Sequence, residues 1–185
     1  MWKKSDLLKT VKRVIKQDHF MIQDTVAALT HITYRSVRLD EIKTLQAIQK
    51  TVYPDRAAWS RYAFLAELNG KHPVHYLVAD CQGQLVGFGG IRIEESHAHV
   101  TNLAVLPELQ GNGIGSELIT QLLAFAEGYQ VTSITLEVRA SNEKAQRLYK
   151  SLGFKLSTTK NSYYRDGEDA YLMVLTKEVV GGHSD

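Results

Sequence analysis

The chain has 185 residues, 44% of them hydrophobic, and 22 Lys and Arg against 20 Asp and Glu for a formal net charge of +2. This supports one folded domain with a sizeable core and excludes a disordered chain or a strongly basic nucleic-acid binder. No apolar run reaches the ~18 residues of a membrane span, the N-terminus has no compact apolar block followed by a cleavage site, and a lone Cys81 cannot form an internal disulfide or a cysteine-based zinc site, so a cytoplasmic setting is expected.

The charge is unevenly spread. Residues 1–20 hold Lys3, Lys4, Lys9, Lys12, Arg13 and Lys16 against Asp6 and Asp18, a local +4 that leaves −2 for the rest. Leu7, Leu8, Val11, Val14 and Ile15 recur at helical spacing, which predicts a basic amphipathic helix in an N-terminal arm, residues 1–31. Its apolar stripe either packs on the domain, or its cations meet an anionic surface such as a membrane or a ribosome.

From there the pattern predicts a strand over Ile32–Val37 and a helix carrying Ile42, Leu45, Ile48 and Val52, capped by Asp40 and ended at Pro54. A second helix is expected over Ala58–Leu68, closed by Asn69-Gly70. Strand-like runs follow at His75–Ala79 and Leu85–Ile93, joined by a hairpin turn at Asp80–Gln84, and a third at about His97–Val105. Ile114, Leu118, Ile119, Leu122, Leu123 and Ala126 mark a one-sided helix, and Val131–Val138 is the next strand. Strand, helix, strand makes a crossover, so these two strands should run parallel. Asn142 can cap a helix carrying Ala145, Leu148, Tyr149 and Leu152 that Gly153 stops; Phe154–Leu156 and Ala170–Leu175 should close the sheet around the turn Arg165–Glu168. The fold class is mixed α/β (α+β) with a largely antiparallel sheet: one domain over 32–178, then a short tail, 179–185.

Gln110-Gly111-Asn112-Gly113-Ile114-Gly115-Ser116 reads as a glycine turn opening a helix. Free N–H groups at a helix N-terminus make an anion site suited to a phosphate or pyrophosphate, although a plain turn has the same pattern. Two blocks follow, Leu136-Glu137-Val138-Arg139-Ala140-Ser141-Asn142 and Leu148-Tyr149-Lys150-Ser151-Leu152-Gly153-Phe154. With the loop they resemble the GNAT acetyltransferases, and more closely the bacterial ribosomal-protein alanine N-acetyltransferases. The similarity runs from about Ile32 to Thr176 and is densest from Asn102 to Phe154.

The resemblance implies a splayed sheet with acetyl-CoA wedged between two parting central strands, and no metal. It places Leu103, Ala104 and Val105 beside the pantetheine arm, whose missing-strand hydrogen bonds their unpaired main chain would supply. Gly111, Asn112, Gly113, Ile114, Gly115 and Ser116 would line the pyrophosphate, and Asn142 would contact the CoA. Relatives often have Arg or Lys in this loop, where Gly111 and Asn112 stand here. Glu137 becomes the proton acceptor and Tyr149 the proton donor to the leaving thiolate. On spacing alone Glu137 is a solvated strand carboxylate and Tyr149 a packing aromatic; partial burial is expected to raise the Glu137 pKa. An Asn-Tyr-Tyr stretch forms part of the peptide-entry wall in relatives; Ser162 precedes Tyr163-Tyr164 here.

The implied activity is acetyl transfer from acetyl-CoA to an α-amino group, first of all the N-terminal alanine of a small-subunit ribosomal protein. Two alternatives stay open: an enzyme of the same family acting on a small amine or a lysine, and a non-catalytic acyl-CoA- or ribosome-binding module. His97-x-His99 falls on a strand without the further ligands a zinc site needs.

Overall fold

The structure is a computed structural model and describes residues 31–54 and 59–177. The N-terminal amphipathic arm lies outside the described residues, as does the tail.

Seven strands form one sheet in the order β1-β2-β3-β4-β5-β7-β6. They are β1 Ile32–Ser36, β2 Val74–Cys81, β3 Gln84–Glu94, β4 His97–Val105, β5 Ser133–Arg139, β6 Lys155–Lys160 and β7 Ala170–Thr176. Among the described residues four helices accompany them: α1 Ile42–Val52, α2 Arg61–Leu68, α3 Ile114–Glu127 and α4 Glu143–Ser151. The expected parallel pair is present, β4 against β5, and β5 pairs β7 and β7 pairs β6 antiparallel.

By its contacts the chain divides into two compact units. The first holds the described residues up to Gly70, Tyr76–Gly89 and Asn102–Thr120. Its core is Ile42, Leu45 and Ile48 of α1, Phe64 of α2, Tyr76, Val78, Leu85 and Phe88 of β2 and β3, and Ala104 of β4. Phe64 sits at its centre, edge-on to Tyr76 and Phe88 at centroid distances of 6.1 and 6.0 Å. The β2–β3 turn has positive φ at both Gln82 and Gly83, the two-residue turn whose twist suits a hairpin. Asp80 closes it by accepting from Gly83 N–H at 2.6 Å.

The second unit holds Lys71–His75, Gly90–Thr101 and the described residues from Gln121 on. Ile134, Leu136 and Val138 put one face of β5 into its core, with Ala98 and Val100 of β4, Phe154, Ala170 and Met173 also buried.

Three expectations need correction. Asp40 caps nothing: it falls inside a short 3-10 turn, Leu39–Glu41, and the Glu41 carboxylate accepts from Arg38 N–H at 2.9 Å. The second helix begins at Arg61, three residues later than expected, because Ser60 is its cap, accepting from Ala63 N–H at 3.0 Å. The strand expected at Phe154–Leu156 instead runs Lys155–Lys160. It is the outer strand of the sheet and mostly solvated, so its polar Ser157-Thr158-Thr159 carries no apolar alternation to read.

Candidate active site

In the first unit the glycine loop has the geometry an anion needs. Gly111 and Gly113 take φ of +89° and +82°, and the first bond of α3 is Glu117 N–H to Gly113 O at 2.9 Å. A helix begun at Ile114 has no intrahelical acceptor for the N–H groups of Ile114, Gly115 and Ser116. Gly113 must be glycine for its backbone, since a Cβ there would meet nothing within 4 Å. Asn112 turns its amide back to donate to Leu109 O at 3.1 Å, so it stiffens the turn.

The last residues of β4 lie in the same unit. Leu106 N–H donates to Val86 O of β3 at 2.9 Å, so by alternation the main-chain groups of Leu103 and Val105 face away from β3. Their carbonyls are occupied: the Tyr53 hydroxyl donates to Leu103 O at 3.0 Å, and Gln110 Nε2 to Val105 O at 2.9 Å. The expectation of wholly unpaired main chain is therefore corrected on the carbonyl side, and the N–H groups are the ones aimed at the open edge. Ala104 is buried against Gly87, where a Cβ would come within 2.9 Å of Ala104 O. Gln49, buried at the end of α1, donates to Asn102 Oδ1 at 2.7 Å and accepts from Trp59 N–H at 2.9 Å. Tyr53, Gln49 and Gly87 were not singled out from the sequence. The first two look like ordinary helix residues until α1 is seen against β4.

In the second unit the β4–β5 register covers only His97↔Ser133, Ala98↔Ile134 and His99↔Thr135. Glu137 lies two residues further along β5, on the same face as Thr135. Its side chain is 13% exposed and both oxygens are held: Lys160 Nζ donates to Oε1 at 2.6 Å, and His99 Nε2 lies 3.2 Å from Oε2. On its other side the His99 ring meets Thr135 Oγ1 through Nδ1 at 2.9 Å. The hydrogen bond from His99, opposed by burial and reinforced by Lys160, holds the Glu137 carboxyl down at about 2. The expected upward shift is overturned, because two donors outweigh desolvation.

Tyr149 is buried on α4 with its ring 5.9 Å from Phe154. Asn142 caps α4, its Oδ1 accepting from Ala145 N–H at 3.1 Å. Beyond Glu137, Arg139 is 5% exposed and donates through Nη1 to Asp166 Oδ2 at 2.7 Å and Glu168 Oε2 at 2.5 Å. Its guanidinium stands 3.9 Å from the centre of the Tyr164 ring. Glu168 Oε1 also accepts from the Ser141 hydroxyl and N–H at 2.6 and 2.9 Å. The Leu-Glu-Val-Arg strand thus presents Glu137 and, through Arg139, ties down the turn that carries Tyr163 and Tyr164.

The sequence and the fold are similar to those of known proteins. The model of the acetyltransferase (GNAT) family matches residues 39–154, more than half of the chain. The chain belongs to the GNAT family. It is 42% identical over 120 residues to the N-alpha-acetyltransferase RimI of Mycobacterium tuberculosis, covering 62% of this chain and 73% of that protein. To the N-alpha-acetyltransferase of Sulfurisphaera tokodaii it is 34% identical over 152 residues, covering 75% and 89%. The crystal structure of the ribosomal-protein-S18-alanine N-acetyltransferase from Escherichia coli superposes with a TM-score of 0.73 at 29% identity, covering 83% of this chain and 99% of that one. The GNAT chain is accordingly an acetyl-CoA-dependent N-acetyltransferase. No helix among the described residues is long and apolar enough to cross a membrane.

Proposed function

We propose that this GNAT enzyme acetylates a protein N-terminal α-amine, with the N-terminal alanine of a small-subunit ribosomal protein as the first candidate. The observation that carries the reading is Glu137: a carboxylate kept ionised inside the second unit, two residues past the last position at which β5 pairs with β4. Such a group suits an acceptor that arrives as an ammonium ion. Both amines arrive largely as ammonium ions, but an α-ammonium with a pKa near 8 gives up its proton far more readily than a lysine near 10.4, which matters beside a weakly basic carboxylate. The relatives named for α-amine acetylation support the same choice.

The chemistry balances as direct transfer. The bound ammonium first gives one proton to water; the neutral nitrogen then bonds to the thioester carbon as the carbon–sulfur bond breaks. As the new C–N bond forms, the nitrogen becomes positively charged and acidic, so even a weakly basic carboxylate can take its proton. Glu137 is assigned that role, and Tyr149 gives the phenolic proton to the departing thiolate. The N–H groups of Ile114, Gly115 and Ser116 would receive the pyrophosphate, and those of Leu103 and Val105 the pantetheine arm and the thioester oxygen, with Ala104 keeping the strand close. Asn142 adds a CoA contact beside its capping bond.

The test is acetyl-CoA turnover, followed by thiol release, over short peptides with free N-terminal alanine, with blocked N-termini and an internal lysine, and over small amines. Product mass spectrometry locates the acetyl group. Transfer to the α-amine of the alanine peptides supports the reading. Transfer only to lysine or small amines replaces it with the other GNAT chemistry, and binding without turnover on any acceptor makes the chain a binding module.

A further inference from the structure

If Glu137 receives the acceptor amine, the newcomer must share an oxygen with a donor already there or displace it, and a carboxylate 13% exposed has little room for a third donor. Both oxygens are occupied, by Lys160 on Oε1 and His99 on Oε2. The two partners are held unequally. His99 is 24% exposed and pinned from behind by Thr135 at 2.9 Å, whose hydroxyl lies 3.3 Å from Ala98 O. Lys160 is 37% exposed, ends an outer strand, and is steadied beyond Glu137 by the Tyr163 ring, 5.1 Å from Nζ. A lysine side chain has four rotatable bonds with which to leave, and an imidazole two. Of the two, Lys160 is the freer to leave.

We propose that Lys160 is a positioning residue of the acceptor site: its ammonium occupies Glu137 Oε1 until the acceptor's own ammonium takes that place. Capture of the acceptor is then an exchange of one cation for another. Before the exchange, Lys160 neutralises a carboxylate that would otherwise stand half-buried and uncompensated. After it, the donor on Oε1 is the acceptor's own ammonium, so a proton that the reaction must remove lies against the carboxylate. His99 stays and fixes the carboxylate's orientation. The charged and titratable side chains facing the carboxylate are His99 from β4 and Lys160 from β6, with Tyr163 facing Lys160. The inference rests on Glu137 being the acceptor's carboxylate, and the experiment separates the two claims.

Steady-state kinetics with a short peptide bearing a free N-terminal alanine should be compared for the full chain, Lys160→Met, Lys160→Gln, Lys160→Arg, Glu137→Gln and the Glu137→Gln/Lys160→Met double variant. Removing the competing cation should lower the KM for the peptide about threefold to fivefold, the range for a partly exposed ion pair, and leave the KM for acetyl-CoA in place. Lys160→Arg should return the peptide KM to that of the full chain. In the Glu137→Gln background the Lys160→Met effect should vanish, because nothing is left to compete for. A folded Lys160→Met or Lys160→Gln chain with unchanged or raised peptide KM overturns the inference, as does a fall in KM that persists without Glu137. Full turnover by Glu137→Gln alone would instead remove the reading of Glu137, and the inference with it.

Discussion

Glu137 and Lys160 are joined by a 2.6 Å hydrogen bond although their strands do not pair. β7 runs between β5 and β6, with Leu172 opposite Glu137 and Ala170 opposite Lys160, so the lysine reaches across a whole strand to the carboxylate. With His99 on the parallel neighbour β4, three strands distant in sequence converge on one carboxyl group. The first consequence concerns catalysis. Glu137→Gln keeps the shape of the side chain and removes its charge, so peptide turnover should fall about 10²- to 10⁴-fold, the usual worth of a positioned proton acceptor. Acetyl-CoA affinity, measured by calorimetry, should change little. A variant with full rate across pH would return Glu137 to the role of an ordinary strand carboxylate.

The same pair of contacts predicts how stability responds to acid. The folded carboxyl of Glu137 titrates at about 2 against an ordinary value of 4.5. A depressed pKa stabilises the folded state above the ordinary value, and that contribution is lost as pH falls from about 4.5 towards 2. Glu168, also held down at about 2 by Ser141 and Arg139, titrates in the same window. The melting temperature of the full chain should therefore fall over this range, and the decline should be shallower for Glu137→Gln. Equal slopes for the two chains would mean that the His99 and Lys160 contacts contribute no net stability.

Much of the fold is legible in the sequence because its elements are strongly periodic. β4 is found at its expected limits, His97–Val105, and α3 over its expected apolar stripe. The parts of the candidate site that sit in contiguous blocks have legible local structure: the glycine turn, Glu137 in its strand, Asn142 as a cap. What stayed hidden depends on register. His99 lies beside Glu137 only because β4 and β5 run parallel with His99 opposite Thr135, and alternation within a single strand cannot reveal that. Lys160 was lost with the polar half of β6, where solvent on both faces erases the pattern. The Glu137 pKa is hidden for the same reason: burial can be read from an alternating strand, whereas the two donors opposing it come from other strands.

Two glycines should fail differently. Gly113→Val meets no steric obstacle but forces a β-branched residue to a φ of +82°, a strain of about 1–2 kcal/mol or more. It should re-aim the loop N–H groups and weaken acetyl-CoA binding about tenfold in calorimetry with a modest loss of melting temperature. Gly87→Ala places its Cβ 2.9 Å from Ala104 O, so β3 and β4 must part. It should cost about 1–3 kcal/mol of stability, read by denaturant unfolding. Unchanged affinity in a folded Gly113→Val chain would take the loop out of the cosubstrate site.

Tyr149→Phe separates packing from proton donation. The ring is buried against Phe154 and the substitution keeps it, so the stability loss should be confined to the contacts of the hydroxyl, about 1 kcal/mol. Turnover should nevertheless fall about 10²-fold or more if the phenol protonates the thiolate. A cosubstrate analogue with a more acidic thiol needs less help to leave and should recover part of the rate. A full rate in the Phe variant would leave Tyr149 a packing residue.

Arg139 tests whether the turn bearing Tyr163 and Tyr164 is part of the acceptor site. Its guanidinium is buried, yet its partners Asp166 and Glu168 are partly exposed, 51% and 28%, so removing the cation leaves acids that water can rehydrate. The loss for Arg139→Met should therefore be about 1–3 kcal/mol, below the 3–5 of a fully buried broken pair. The kinetic effect is the more informative. With Glu168 no longer drawn between Arg139 and Ser141, and Tyr164 without its cationic stacking partner, the turn loses its fixed shape while Glu137 keeps its own two contacts. Peptide KM should rise several-fold, and acetyl-CoA binding should hold. Glu168→Gln, which leaves the buried arginine its bond to Asp166, should show the same kinetic signature with a smaller stability loss. If both variants melt earlier but keep the peptide KM of the full chain, the arginine anchors a turn that takes no part in acceptor recognition.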